Sequence, residues 1–346
     1  MSSLDPAATA MFREAAQAPH AVASQLARNR TAAASIGAAL RALAPRVVVT
    51  CARGSSDHAA TYAKYLIETR LGVLTASAAP SIASIYHASQ DLRGCLFIAI
   101  SQSGASPDVL AATQAARRAG AVVVAIVNDE DSALAREADH CLPLDAGREE
   151  SVAATKTFIA SLAALAQLAA AWSQDARLSA ALDEAPALLE RAWRLPWDEI
   201  AVPRLREASH LFTIARGIGL GVAQEAALKC KETCGLHAES FSSAEVRHGP
   251  QALLSGGFPA LAFAQDDAAR EGLEALAAEL AARGVDVLGA GFEAAGVTAL
   301  PALESDPALQ PMLLAQSFYR LANALAVARG LDPDRPPNLH KVTRTT

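Results

Sequence analysis

The stretch Val47-Val48-Val49-Thr50-Cys51-Ala52-Arg53-Gly54-Ser55-Ser56 constrains the fold most, because a β-branched apolar run ends in glycine and two hydroxyls just where a helical pattern begins. A strand that enters a helix through such a turn is the start of a βαβ unit. A second run, Cys95-Leu96-Phe97-Ile98-Ala99-Ile100, repeats the logic and ends in Ser101-Gln102-Ser103-Gly104 before the helical stretch from Ser106 to Ala119. Backbone N–H groups at a helix N-terminus lack intrahelical partners and carry partial positive charge, so two such turns side by side can bind one dianion. A phosphorylated small molecule is the expected ligand.

Apolar strand-like runs alternate with amphipathic stretches along the whole chain. In the first half strands are predicted at 46–52, 95–101, 121–128 and 141–144, with helices at 56–70, 106–119 and 131–138. In the second half strands are predicted near 210–216, 259–265 and 285–291, with helices near 221–234, 268–283 and 309–329. This is the pattern of an α/β fold with doubly wound, mainly parallel sheets flanked by helices. Leu211-Phe212-Thr213-Ile214-Ala215-Arg216-Gly217 is similar to Val49-Thr50-Cys51-Ala52-Arg53-Gly54, and the two Arg-Gly pairs lie 163 positions apart, which predicts a tandem duplication.

At 346 residues the chain is long enough for two cores. Residues 1–33 are expected to form a helical arm, 34–175 a phosphate-binding domain, 176–208 a linker, 209–337 a second domain carrying acid/base groups, and 338–346 a tail over the active site. The linker contains Pro186, Pro196 and Pro203 and no strand pattern. In the arm, Met11, Ala15, Val22 and Leu26 mark a packed face.

The formal charge of −6 and the absence of a lysine or arginine block argue against nucleic acid or an anionic membrane as partner. Five cysteines without a C-x-x-C pair read as reduced, buried thiols, and the N-terminus lacks the marks of a secretory signal, so a cytoplasmic location is expected. The Ala-rich uncharged stretch from Thr157 to Gln174 is expected to be a helix buried between layers or subunits.

The halves are not equivalent. The second continues Arg216-Gly217 with Ile218-Gly219-Leu220, and its next strand ends in Gln265-Asp266-Asp267 instead of Ser-Gln-Ser-Gly. Phosphate binding is therefore assigned to the first half. Chemistry is assigned to the polar stretch of the second, which holds Glu225, Lys229, Lys231, Glu232, His237, Glu239, Glu245, Arg247 and His248, followed by Gly249-Pro250.

These residues carry a resemblance covering nearly the whole chain. Gly54-Ser55-Ser56, Ser101-Gln102-Ser103-Gly104-x-Ser106, Ser151-Val152-Ala153-Ala154-Thr155-Lys156, Ala227-Leu228-Lys229-Cys230-Lys231-Glu232, Glu245-Val246-Arg247-His248-Gly249-Pro250 and Asn338-Leu339-His340-Lys341 appear in the order and spacing of one family. The chain resembles the two-domain sugar isomerase (SIS) family, most closely the isomerase half of the glutamine–fructose-6-phosphate aminotransferases and the stand-alone glucosamine-6-phosphate deaminases. The resemblance implies tandem SIS domains, no cofactor and no metal. It also implies that Ser55, Ser101, Gln102, Ser103 and Ser106 hold the sugar phosphate, with Ser56 beside them, and that Val152 meets the sugar hydroxyls through its backbone. Glu232 then moves the proton between C1 and C2, His248 opens the sugar ring, and Lys341 forms an imine with the ketose carbonyl. Glu225, Lys229 and His340 join the substrate site. A homodimer with shared active sites is implied, His248 being delivered to the neighbouring subunit.

The chemistry of these side chains agrees. Aldose–ketose exchange needs a carboxylate tuned to take and return a proton, ring opening needs a group that titrates near neutrality, and a desolvated lysine can form a Schiff base. Simpler readings stand beside these. A serine turn can be an N-cap, Lys229 and Glu232 can be a solvated i, i+3 pair, His248 can be a loop histidine, and Lys341 can be a solvated tail residue. His58 and His237 are read as structural, and Cys230 with Cys234 as packing residues.

The expected reaction is glucosamine 6-phosphate plus water to fructose 6-phosphate plus ammonia. Its alternatives are an aminotransferase-type isomerase module without a glutaminase, a fructosamine-phosphate deglycase, and a noncatalytic sugar-phosphate sensor. Ala105, Pro107 and His340 depart from the family pattern and bear on which sugar is taken.

Overall fold

The computed structural model describes residues 4–341; Val342–Thr346 of the predicted tail and the first three residues of the predicted arm lie outside them. The chain opens with α1 (Ala10–Ala16) and α2 (Ala18–Leu43), then runs β1 (Val47–Cys51), α3 (Ser55–Leu71), β2 (Leu74–Ser77), α4 (Ser81–Ser84), β3 (Leu96–Ser101) and α5 (Pro107–Arg118). It continues β4 (Val122–Val127), α6 (Ala133–Glu137), β5 (His140–Pro143), α7 (Lys156–Ser173), α8 (Ala176–Trp193) and α9 (Trp197–Leu205). The rest is β6 (His210–Ala215), α10 (Leu220–Cys234), β7 (His237–Ser242), α11 (Ser243–Val246), β8 (Pro259–Phe263), α12 (Arg270–Ala282), β9 (Asp286–Ala290), β10 (Thr298–Leu300) and α13 (Gln310–Ala328).

Two five-stranded sheets result, ordered β2-β1-β3-β4-β5 and β7-β6-β8-β9-β10, and every pairing in both is parallel. The strand order is the same in each, which establishes the duplication. Register carries it further. Cys51 pairs with Ala99 and Ile214 with Ala262, so laying Arg53-Gly54 on Arg216-Gly217 also lays β3 on β8. Gln102 then falls on Gln265, Ser101 on Ala264, Ser103 on Asp266 and Gly104 on Asp267.

Every strand read from the sequence forms. The three that were not read, β2, β7 and β10, are all edge strands. An edge strand need not be apolar on both faces, so Leu74-Thr75-Ala76-Ser77 and the polar His237–Ser242 carry no buried-strand signature. By contrast all of β3 and all of β8 are buried.

The described chain divides into two compact units. The first unit comprises His20–Glu149, Lys156–Pro186 and the residues from His340 onward; the second comprises the residues through Pro19, Glu150–Thr155 and Ala187–Leu339. In the first unit α7 is enclosed along nearly its whole length. Its cover comes from α2 and α3: Gln25 donates to the Ala160 carbonyl at 2.8 Å and Gln167 to that of Leu26 at 2.8 Å. Gly37 of α2 lies so close that a Cβ would stand 2.7 Å from the Ala171 carbonyl carbon, an approach only glycine permits. Burial of this helix is thus between layers of the same chain, one of the two expected placements. No helix among the described residues is long and apolar enough to cross a membrane.

In the second unit α1 docks by its N-terminus, where Asp334 accepts the N–H groups of Ala10 and Met11 at 2.6 and 2.8 Å. An anion there is favoured by the helix dipole. Met11, Ala15, Val22 and Leu26 are all buried, as their spacing predicts.

Candidate functional site

In a doubly wound sheet the crevice for a ligand opens at the carboxyl ends of the strands where the order reverses. In the first unit that point lies between β1 and β3, and both serine turns sit there. Ser55 and Ser56 are the first two residues of α3, after Gly54 as N-cap, and Ser101 ends β3. Ser101 Oγ accepts the Gly104 N–H at 3.2 Å and Ser103 Oγ that of Ala105 at 3.3 Å, which folds the second turn back on itself. Gly104 is required on two counts: φ is 58°, and a Cβ would stand 2.1 Å from Ser132 Oγ. Ser106 is the N-cap of α5 yet makes no side-chain cap bond, so capping does not account for its hydroxyl. Pro107 occupies the first helical position, where its missing N–H costs nothing.

Arg53 ties the two turns together. From the end of β1 its Nε reaches Oδ2 of Asp108 at 2.7 Å, and Asp108 is buried in the first turn of α5. No short motif contains this pair, because it spans two turns 55 residues apart. Burial pushes the Asp57 carboxyl up, with His58 and then Arg53 pulling the other way.

The corresponding crevice of the second unit, between β6 and β8, is filled by its own side chains. Gln265 donates to the Arg216 carbonyl at 2.8 Å and to the Asp267 carboxylate at 3.0 Å, and Asp267 also accepts the Ala269 N–H at 2.8 Å. A fixed carboxylate where the duplicate would take an anion supports assigning phosphate to the first unit alone. A cavity of about 710 Å³ at the carboxyl ends of β8, β9 and β10 contains none of the predicted residues. Its Arg270 is already paired with Asp266 and Glu274.

The polar stretch of the second unit is organised on α10. Glu225, Lys229 and Glu232 are spaced i, i+4, i+7 and therefore share one helix face. Lys229 Nζ lies 3.4 Å from Glu225 Oε1 and is hydrogen-bonded to Glu232. The side chains of Glu225 and Lys229 are 1% exposed, whereas that of Glu232 is 21% exposed. Burial alone lowers the Lys229 pKa, but the two carboxylates outweigh it and hold the ammonium above the usual lysine value. Tyr319 of α13, fully buried, donates to Glu225 Oε1 at 3.0 Å. Tyr319 carries no sequence signal of this role, since a tyrosine in an apolar helical stripe reads as core. Cys230 and Cys234 are buried, with Cys234 Sγ on the Ala322 carbonyl.

The other predicted residues fall as follows. His248 is exposed in the turn after α11, its N–H bonded to the Glu245 carbonyl at 2.9 Å. Among the described hydrogen bonds and ion pairs none links it to Glu232. Val152 is half-buried in the Glu150–Thr155 segment of the second unit, where Glu14 of α1 accepts the backbone N–H groups of Glu150 and Ser151. Glu14 was likewise not foreseen. His340 is exposed, and Lys341 makes an ion pair at 3.0 Å with Glu149 in the first unit.

Comparison with known proteins follows the same lines. A family model described as SIS domain matches residues 44–171 and 204–290. A glutamine–fructose-6-phosphate aminotransferase (isomerizing) from Symbiobacterium thermophilum is 35% identical over 364 aligned residues, covering 96% of this chain and 58% of that protein. The chain spans about half the length of the curated relatives it matches. A solved structure from Silicibacter pomeroyi DSS-3, provisionally described as a phosphosugar isomerase, matches with TM-score 0.90 and 45% identity over 94% of this chain and 100% of that one. The C-terminal domain of glucosamine-fructose-6-phosphate aminotransferase from Francisella tularensis matches with TM-score 0.85 and 26% identity over 95% and 98%.

Proposed function

The chain belongs to the SIS-domain family, and from that premise we propose that it isomerises an amino-sugar phosphate and releases ammonia, glucosamine 6-phosphate plus water giving fructose 6-phosphate. One observation carries the reading: Glu232 alone of the α10 array reaches solvent, while buried Lys229 and Glu225 stand behind it. An ion pair that served only the surface would not bury two of three members. A sensor would need the phosphate cradle and nothing of this kind.

Each residue then has a step. The N-terminal turns of α3 and α5, with Ser55, Ser56, Ser101, Gln102, Ser103 and Ser106, hold the phosphate. His248, exposed on its turn, opens the ring by proton transfer, and the proposed homodimer delivers it to the neighbouring subunit's site. Val152 holds the sugar hydroxyls through its backbone, on a segment that Glu14 fixes. Glu232 takes the proton from C2 of the opened sugar and returns it to C1. With one proton lost from the amine nitrogen and one gained by O1, the C1 aldehyde and C2 amine become a C1 alcohol and a C2 imine, which water hydrolyses to the ketone and ammonia. Lys229 and Glu225 act through Glu232, fixing its carboxylate through the Lys229 hydrogen bond. Lys341, with His340 beside it, acts on the ketose carbonyl.

A second reading is favoured by the 35% identity with the Symbiobacterium aminotransferase, in which the same site isomerises fructose 6-phosphate as part of glutamine-dependent amination. Ammonia release across a panel of phosphorylated amino sugars separates the two. Release from glucosamine 6-phosphate without glutamine is expected. Silence across the panel, with glucosamine 6-phosphate made only when fructose 6-phosphate and ammonia or glutamine are supplied, would favour the second.

A further inference from the structure

We infer that Glu149 is the positioning residue for Lys341: it docks the tail amine and receives its proton when that amine attacks the ketose carbonyl, an inference that rests on the isomerase/deaminase reading. Glu149 lies between β5 and α7, and its side chain is completely enclosed. Among the described bonds, three donors converge on it. Thr157 gives its backbone N–H to Oε1 at 3.2 Å and its hydroxyl to Oε2 at 2.7 Å, and Lys341 Nζ reaches Oε2 at 3.0 Å. Thr157 stands in the first turn of α7, whose N-terminal N–H groups favour an anion.

A carboxylate taken out of water must be paired, and Lys341 of the tail supplies an ammonium that pairs it. The tail therefore has a reason to dock that is independent of substrate. Lys341 keeps 25% of its side-chain surface exposed, so its amine stays within reach of a small molecule. The neighbouring Lys156 is anchored differently, donating to the Arg148 carbonyl at 2.7 Å, and its side chain is buried with the start of α7.

The chemistry balances. The Lys341 ammonium passes one proton to Glu149, the neutral amine forms a bond to the carbonyl carbon, and the carbonyl oxygen leaves as water, giving the imine. Hydrolysis returns each group to its starting state.

The test uses the full chain with Glu149→Gln, Lys341→Ala and the double variant. Glutamine keeps the shape and an acceptor for Thr157, but it can neither pair with an ammonium nor take its proton. Hydrogen exchange of the tail peptide should rise in both single variants while the sheets stay protected. Borohydride trapping of fructose 6-phosphate on Lys341, and kcat with it, should fall in Glu149→Gln by about 10²-fold, as for a misplaced reacting group, with KM within about twofold. Adding Glu149→Gln to Lys341→Ala should cost nothing more. Wild-type trapping in Glu149→Gln, an equal loss in the Lys341→Ala background, or unchanged tail exchange in both single variants would overturn the assignment. Absence of trapping and turnover in the wild type itself, with tail protection still lost in both variants, would instead overturn the reaction reading and leave Glu149 as the tail's dock alone.

Discussion

Tyr319 donates its hydroxyl to Oε1 of Glu225, the oxygen that also lies 3.4 Å from Lys229 Nζ. A hydroxyl on α13 thus terminates a chain, Tyr319 to Glu225 to Lys229 to Glu232, whose last member is the one exposed to solvent. Replacing Tyr319 with phenylalanine removes a hydrogen bond to a charged, buried acceptor and should cost about 1.5–3 kcal/mol in urea unfolding. Turnover should fall with it while KM stays near wild type, because the phosphate site is untouched. A variant as stable and active as wild type would show that the tyrosine is packing only.

Lys229 is the hinge of that chain. Lys229→Met takes the cation from beside Glu225, whose side chain is 1% exposed, and loss of one partner of a buried pair costs about 3–5 kcal/mol. Glu225→Gln added to it should recover part of the loss, a coupling that a double-mutant cycle measures. The pH dependence has a definite sign. The folded pKa of Lys229 is raised, so its contribution is complete below the unfolded value of about 10.4 and disappears as pH rises through the folded one. The double variant should lack that alkaline drop.

The central strands and their serine turns were legible because they are two-sided, apolar and punctuated by glycine. Three of the four edge strands, β2, β7 and β10, were not, since one solvated side erases the signal. Among the proposed site residues, those inside a short motif, such as Ser101, Gln102 and Ser103, can be put forward as candidates from sequence. Arg53 with Asp108, Glu14, Tyr319 and Glu149 could not, because each is defined by a partner far along the chain. Spacing does reveal that Lys229 and Glu232 share a helix face, but it does not reveal that Lys229 is buried and Glu232 is not.

Ser103 supplies a hydroxyl to the second turn of the cradle, where its oxygen accepts the Ala105 N–H. On the proposed phosphate site, Ser103→Ala should lose a donor to the dianion, worth roughly 1.5–3 kcal/mol for a hydrogen bond to a charged group. KM for the sugar phosphate should rise with kcat little changed. Unphosphorylated glucosamine turned over as well as its 6-phosphate would dismiss the cradle.

Asp57 sits in the first turn of α3 beside Ser55 and Ser56, and its carboxyl pKa is raised chiefly by burial. A carboxyl raised on folding stabilises the fold at low pH and loses that contribution as pH climbs from its unfolded value through the folded one. Above that window the ionised group is a net cost. Asp57→Asn should therefore be more stable than wild type at neutral pH and no more stable in acid, as thermal unfolding at the two pH values can show. It should also tighten phosphate binding, since one negative charge leaves the rim. Equal stabilisation at both pH values would assign the effect to packing instead.

His248 stands exposed on its turn, and no described bond holds it to the α10 array. In the proposed homodimer it serves the neighbouring subunit's site, so each site draws Glu232 from one chain and His248 from the other. A chain carrying Glu232→Gln and a chain carrying His248→Ala are each inactive alone. In a two-fold dimer of one with the other, one site collects both substitutions and the second collects neither. Random mixing makes half the dimers mixed, so roughly a quarter of wild-type activity should return. Glu232→Gln alone should lower turnover by about 10²–10⁴ with binding retained, which keeps the background low enough to see the recovery. Subunit exchange verified by mass without recovered activity would place His248 in its own subunit's site.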